Sequence, residues 1–225
     1  MRIGIIGCGA VGSLFAAHTA QLDDVEVWAY DVWEEHVAAI NENGLRLTGV
    51  EEVHSRPTAT TDPGALPPLD FGIVATKGMY TRSAIEATAH AFADGAVCSV
   101  QNGVGNEEII AEYVPRVIRG TTFPAGRVTA PGVVQFDLAG ATQIGPFEPK
   151  PATMDEIERL AAILSRGGMD TIPLQDVLAR RPTEIDQLNG GICAFGDETG
   201  IATPMNRAAW YLIKGLEASW ALEEQ

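Results

Sequence analysis

The chain has 225 residues, 46% hydrophobic and 20% charged, and 30 acidic against 15 basic side chains give a formal net charge of −15. Size and apolar fraction suit a globular protein with a sizeable core, built as one large domain or two smaller ones. The charge argues against nucleic acid and anionic membrane surfaces as partners, and no apolar run reaches the length that spans a bilayer.

In chain order, a short apolar strand (Ile3 to Ile6) feeds the glycine turn Gly7-Cys8-Gly9-Ala10-Val11-Gly12, and the turn feeds an Ala-rich helix. Gly7 allows the sharp turn, Gly9 lets backbone approach a pyrophosphate, and Gly12 lets the helix pack closely on the strand. The helix N-terminus offers N–H groups and a positive dipole end to phosphates. A second strand, Val25 to Tyr30, ends at Asp31. A strand, a glycine turn, a helix and an acidic residue after the next strand together predict a dinucleotide site. A secretory signal fits poorly, because three glycines break the apolar stretch and one basic residue precedes it.

A helix is expected from Trp33 to Asn43, ended by Gly44, then a Pro/Thr-rich connection from Arg56 to Pro68. Asp70 to Ala75 reads as a buried strand, Thr81 to Phe92 as a helix, Ala96 to Val100 as a strand, and Asn106 to Tyr113 as a helix capped by Asn106. Arg127 to Phe136 and Ala141 to Ile144 look like an antiparallel addition to the sheet edge, and Met154 to Leu164 like a helix closed by Gly167-Gly168. This alternation predicts an α/β, Rossmann-type doubly wound sheet over residues 1–170.

Residues 171–225 change character. Leu174, Val177, Leu178, Ile185, Leu188, Ile192 and Phe195 recur at helical spacing, and a last helix carries Trp210, Ile213, Leu216 and Trp220. Two helices cannot bury both stripes on each other alone, so a helical substrate or dimerisation domain is expected, covered by the nucleotide domain, a second subunit of a homodimer or a further segment. Cys8, Cys98 and Cys193 show no paired spacing and suit free thiols of a reducing cytoplasm, and the four histidines show no metal-ligand spacing.

Asp31 is the residue that bears on cofactor choice. Its carboxylate can accept from adenosine ribose hydroxyls and repels a 2′-phosphate, which favours NAD over NADP; as an ordinary helix cap it would still disfavour a phosphate. Lys77 follows a strand at its carboxyl end, where open α/β sheets bind ligands, although a surface lysine is the plain alternative. Asn102, in Gln101-Asn102-Gly103-Val104-Gly105, presents both donors and acceptors beside a glycine turn, and simple turn chemistry is its alternative.

GCGAVG, VATKGMYT with Lys77, QNGVGNEE with Asn102, GTTFPAGRVTAPGVVQ with its trailing IGP, LQDVLARRPTEIDQLNGGI and GIATPMNRAAWYLIKGLE occur in this order over most of the chain. In these stretches it resembles the ketopantoate reductase (2-dehydropantoate 2-reductase) family. The resemblance implies a Rossmann domain followed by a helical domain with the active site between them. It also implies hydride transfer to ketopantoate, giving pantoate on the route to pantothenate and coenzyme A. By resemblance, Gly7 to Gly12 would hold the pyrophosphate, Lys77 and Asn102 would lie near cofactor and substrate, and Gly126 would pass along the cofactor. Glu184 of TEID would reach in from the helical domain, so Asn102 and Glu184 are the expected catalytic residues, and both also face the cofactor.

Two departures qualify this. The family usually uses NADPH and commonly carries a basic residue where this chain has Asp31, so the residue itself argues for NADH. The family also carries a long helical stretch holding its general-acid lysine, whereas here Pro173 runs straight into Leu174. Lys214 matches a different position and is not given that role. Two other readings stay open: a non-catalytic dinucleotide-binding protein, and a reductase of another 2-oxoacid.

Overall fold

The computed structural model describes residues 1–173 and 185–223. The elements are β1 (Arg2–Ile6), α1 (Ala10–Thr19), β2 (Glu26–Tyr30), α2 (Glu34–Asn43), β3 (Leu45–Gly49), β4 (Val53–Ser55), β5 (Thr58–Thr60), β6 (Phe71–Val74), α3 (Thr81–Thr88), β7 (Ala96–Ser99), α4 (Asn106–Tyr113), β8 (Arg116–Thr122), β9 (Ala125–Ala130), β10 (Val133–Leu138), β11 (Thr142–Pro146), α5 (Met154–Gly167), β12 (Thr171–Pro173), α6 (Gly191–Thr199) and α7 (Pro204–Glu223). The chain divides into two compact units, Met1–Pro173 and Leu174–Gln225.

In the first unit an eight-stranded sheet runs β12-β11-β8-β7-β6-β1-β2-β5. Strands β5, β2, β1, β6, β7 and β8 are parallel neighbours, and β11 joins β8 antiparallel. Successive residues of the central strands bury on opposite faces, as the pleat requires. Ile3, Ile5, Ile73 and Cys98 pack with Leu14 and Phe15 of α1 and Leu160 and Leu164 of α5. Ile6, Val74 and Val97 pack with Ile85 of α3 and Ile110 of α4. The chain visits β2 and β5 on one side of β1, then crosses to β6 on the other, so the sheet has its topological switch beside β1.

Three expectations need correction. Arg127–Phe136 does not extend the main sheet: β9 and β10 form a second sheet, ordered β4-β3-β10-β9, and of the two expected stretches only the later one, as β11, joins the main sheet, antiparallel to β8. Alternating Leu45-Arg46-Leu47 and Val134-Gln135-Phe136 bury one face of this sheet in the core that includes α1, so its partner strands lie far away in sequence. The Arg56–Pro68 connection contains β5, an edge strand paired with β2. Asn106 is not the cap of α4: Gly105, with φ of 96°, occupies that position, and the Asn106 side chain turns to Thr81 and Asn102. The stop after α5 stands, with Gly168 left-handed at φ 107° and Thr153 with Glu156 forming a capping box at its start.

In the second unit a π-helical turn (Asp186–Gly190) leads into α6, and α7 follows Gly200. Asp186 ties the unit together, accepting from Trp210 Nε1 at 2.6 Å and Lys214 Nζ at 2.8 Å. Of the expected stripe, Leu188, Ile192 and Phe195 are exposed, and Leu174 to Leu178 lie outside the described residues.

Candidate functional site

A cavity of about 610 Å³ opens at the carboxyl ends of β1, β2, β6 and β7, where a doubly wound sheet binds its ligand. Gly7, Gly9, Ala10 and Val11 form one wall, and Tyr30, Asp31 and Val32 form one end. Lys77, Asn102 and Gly126 also line it, so eight of the eleven residues expected at the site come together. Cys8 and Gly12 lie buried behind the turn. Glu184 lies outside the described residues.

The glycine turn is built by close approach. Gly7 adopts φ of 90°, and a Cβ on Gly12 would sit 1.9 Å from the Gly7 carbonyl oxygen, so the first turn of α1 can rest on the strand end only with glycine there. A Cβ on Gly9 would meet nothing within 4 Å, and that open side belongs to the cavity wall. The first-turn N–H groups of α1 have no intrahelical acceptors and are offered at this wall.

Asp31 is locked to the turn. Its Oδ2 accepts from the Cys8 backbone N–H at 2.7 Å and its Oδ1 from that of Trp33 at 3.0 Å. It is not the cap of α2, whose cap position is Trp33. Each carboxylate oxygen accepts one backbone bond and retains a further lone pair for a ligand hydroxyl. Behind the turn, Ser13 Oγ donates to the Cys8 carbonyl at 2.9 Å and lies 3.4 Å from His36 Nε2. Gly132 N–H donates to His36 Nδ1, which places the imidazole proton on Nε2 and ties the turn to the second sheet. Burial lowers the His36 pKa, against a smaller opposing pull from the Asp31 charge. Burial also pushes the Cys8 thiol up to about 12, so this cysteine packs and does not react.

At the other end, Lys77 is exposed and supplies the one positive charge among the described lining residues, with Asp31 the one negative charge. Gln101 is buried, and its Nε2 lies 2.9 Å from the Thr76 carbonyl and 3.0 Å from Thr76 Oγ1, bracing the ends of β6 and β7 against each other. Thr76 and Gln101 were not singled out from sequence. Each precedes an expected residue at the carboxyl end of a central strand, and that position was the available signal. Among the described residues no cluster of His, Cys, Asp and Glu could hold a metal, and no helix is long and apolar enough to cross a membrane.

These pieces suit a nicotinamide dinucleotide: an open glycine turn at a helix N-terminus, an anchored carboxylate at one end, and a cation and an amide at the other. Comparisons with known proteins agree. Residues 3–149 match the family "Ketopantoate reductase PanE/ApbA", and residues 135–217 match "Ketopantoate reductase PanE/ApbA C terminal". A 2-dehydropantoate 2-reductase of Pyrococcus abyssi is 33% identical over 301 aligned positions, covering 97% of this chain and 98% of the relative. Those aligned positions outnumber the 225 residues here, so the relative carries sequence that this chain lacks. A 2-dehydropantoate 2-reductase of Halobacterium salinarum is 34% identical over 76% of the chain, which spans 57% of that relative's length. In fold the chain is similar to a D-mandelate dehydrogenase solved with NADH and anilino(oxo)acetate, with a TM-score of 0.68 at 22% identity over 97% of this chain and 99% of that one.

Proposed function

Because the chain belongs to the ketopantoate reductase family, we propose that it reduces the ketone of 2-dehydropantoate to pantoate with a nicotinamide dinucleotide, NADH in preference to NADPH. The observation that carries this reading is the cavity that gathers the glycine turn, Asp31, Lys77, Asn102 and Gly126 at the sheet's switch point. When bound, the dinucleotide supplies the hydride. The glycine turn and the N-terminus of α1 bind its phosphates, and Asp31 orients the adenosine ribose and disfavours a 2′-phosphate. Charge developing on a ketone oxygen needs a positioned donor. Lys77 brings a positive charge to the cavity and Asn102 an amide. Glu184 is assigned a catalytic, cofactor-facing role on family resemblance.

Mixing the protein with ketopantoate and following loss of NADH absorbance tests this. No turnover with either dinucleotide would refute it. Slower turnover than that of another 2-oxoacid, phenylglyoxylate among them, would move the substrate and keep the reaction.

A second reading, a dinucleotide-binding protein without turnover, is favoured by the sequence that the Pyrococcus relative has and this chain lacks. NADH binding by calorimetry with no 2-oxoacid reduced would select it. We further propose a homodimer through exposed Leu188, Ile192 and Phe195, checked by sedimentation, and a reducing cytoplasmic setting, which suits the three buried free cysteines.

A further inference from the structure

The loop that carries Asn102 has almost nothing to hold it. Gly103 and Gly105 have φ of 95° and 96°, a Cβ on either would meet nothing within 4 Å, and Val104 is fully exposed. Such a segment has no packing of its own to fix where Asn102 sits. Among the described residues, the one hydrogen bond to Asn102 comes from Asn106, whose Nδ2 donates to the Asn102 carbonyl at 3.2 Å.

Asn106 is itself buried, and its amide has a single workable orientation. The Asn102 carbonyl can only accept, so Nδ2 must face it and Oδ1 must face the other way. Oδ1 accepts from Thr81 Oγ1 at 2.9 Å, and Thr81 Oγ1 in turn accepts from Gln101 Nε2 at 2.8 Å. On its remaining side Oδ1 lies against Gly78, where a Cβ would come within 3.1 Å of it. The same amide therefore touches the loop after β6, which carries Lys77, and the loop after β7, which carries Asn102.

We propose that Asn106 is a positioning residue for the reduction: it sets where Asn102 stands relative to Lys77 by bridging the two strand-end loops through Thr81 and Gln101. This rests on the reductase reading for its kinetic consequence, whereas its structural consequence can be read without turnover. The Asn106 amide is directed on both sides, by the Asn102 carbonyl and the Thr81 hydroxyl, which restricts its geometry. A misplacement of about 1 Å at a reacting centre can cost roughly a hundredfold in rate.

The test compares the wild type with Asn106→Ala, Asn106→Asp, Thr81→Val and Thr81→Ser, each at a temperature where circular dichroism shows it folded. In Asn106→Asp a carboxylate faces the Asn102 carbonyl, whereas Thr81→Ser keeps the bridging hydroxyl. With ketopantoate and NADH, kcat falls roughly tenfold to a hundredfold in the first three while the KM for NADH moves little, and Thr81→Ser stays near the wild type. In parallel, NMR backbone order parameters of residues 102–105 fall in the first three variants and stay at the wild-type values in Thr81→Ser. A folded Asn106→Ala with wild-type kcat, or with unchanged order parameters in this loop, would overturn the proposal. Should Asn106→Ala fail to fold, the Thr81→Val and Thr81→Ser pair decides by the same two readouts. A wild type without turnover removes the reductase reading alone, and the order-parameter measurement still decides the role of Asn106.

Discussion

Replacing Asp31 by Asn keeps the shape of the side chain and removes one of its two acceptor oxygens. In the native protein Oδ2 holds the Cys8 N–H at 2.7 Å and Oδ1 holds the Trp33 N–H at 3.0 Å. An amide can satisfy only one of these donors and turns an NH₂ toward the other. A hydrogen bond to a charged group is worth about 1.5–3 kcal/mol, and water reaches this partly exposed position, so a loss of about 1–2 kcal/mol is expected. For a unit of this size that lowers Tm by roughly 2–8 °C. The same substitution removes a negative charge near the proposed ribose site. A single phosphate charge about 5 Å from a carboxylate is repelled by about 1–3 kcal/mol, between the dielectric of water and that of a protein surface. Asp31→Asn is therefore expected to lower the KM for NADPH relative to NADH by roughly tenfold, with Asp31→Arg moving it further at a greater loss of Tm. Thermal unfolding by circular dichroism and steady-state kinetics with both dinucleotides read the two effects. An unchanged KM ratio would show that Asp31 does not face the ribose, and an unchanged Tm would show that its backbone bonds do not anchor the turn.

Gly12→Ala places a methyl carbon 1.9 Å from the Gly7 carbonyl oxygen, so NADH binding by calorimetry is expected to disappear, with a stability loss of about 3 kcal/mol in urea unfolding. Lys77→Met removes the one positive charge among the described lining residues, and kcat/KM with ketopantoate should drop at least tenfold at an unchanged Tm. Burial holds the pKa of both His18 and His36 below the usual 6.5. The unfolded chain therefore takes up these protons first as pH falls, and their contribution is complete above about 6.5 and lost below it. Denaturant unfolding should show stability decreasing below that pH by up to about 1.4 kcal/mol per pH unit for each histidine. His36→Gln should flatten the slope; an equally steep profile would remove His36 from the account.

Local chemistry in the sequence was enough for the first strand, the glycine turn, α1 and β2. There the turn, the helix and the acidic residue are joined by short connections, and each glycine answers a contact within the same unit, as Gly12 does against Gly7. Gly44 and Gly168 ended their helices as expected, for the same local reason. Asn106 shows the limit. An Asn at the start of a helical stretch suits a cap, and only its distant partners, Thr81 and the Asn102 carbonyl, drew its side chain away. β3 and β4 were missed because their short alternating runs, paired with each other, become part of a sheet only when β3 pairs with β10, far along the chain.

The sequence by itself determined a dinucleotide-type α/β chain and its family, because periodicity, turn chemistry and motif order are properties of neighbours. Only the tertiary structure decided that the 127–136 hairpin belongs to a second sheet, that Asp31 is clamped to the Cys8 N–H, and that Asn106 bridges the loops of Lys77 and Asn102. Each of these depends on which strand ends become adjacent. Adjacency between distant segments is fixed by burying both faces of the sheet at once, a constraint that no single stretch of sequence carries.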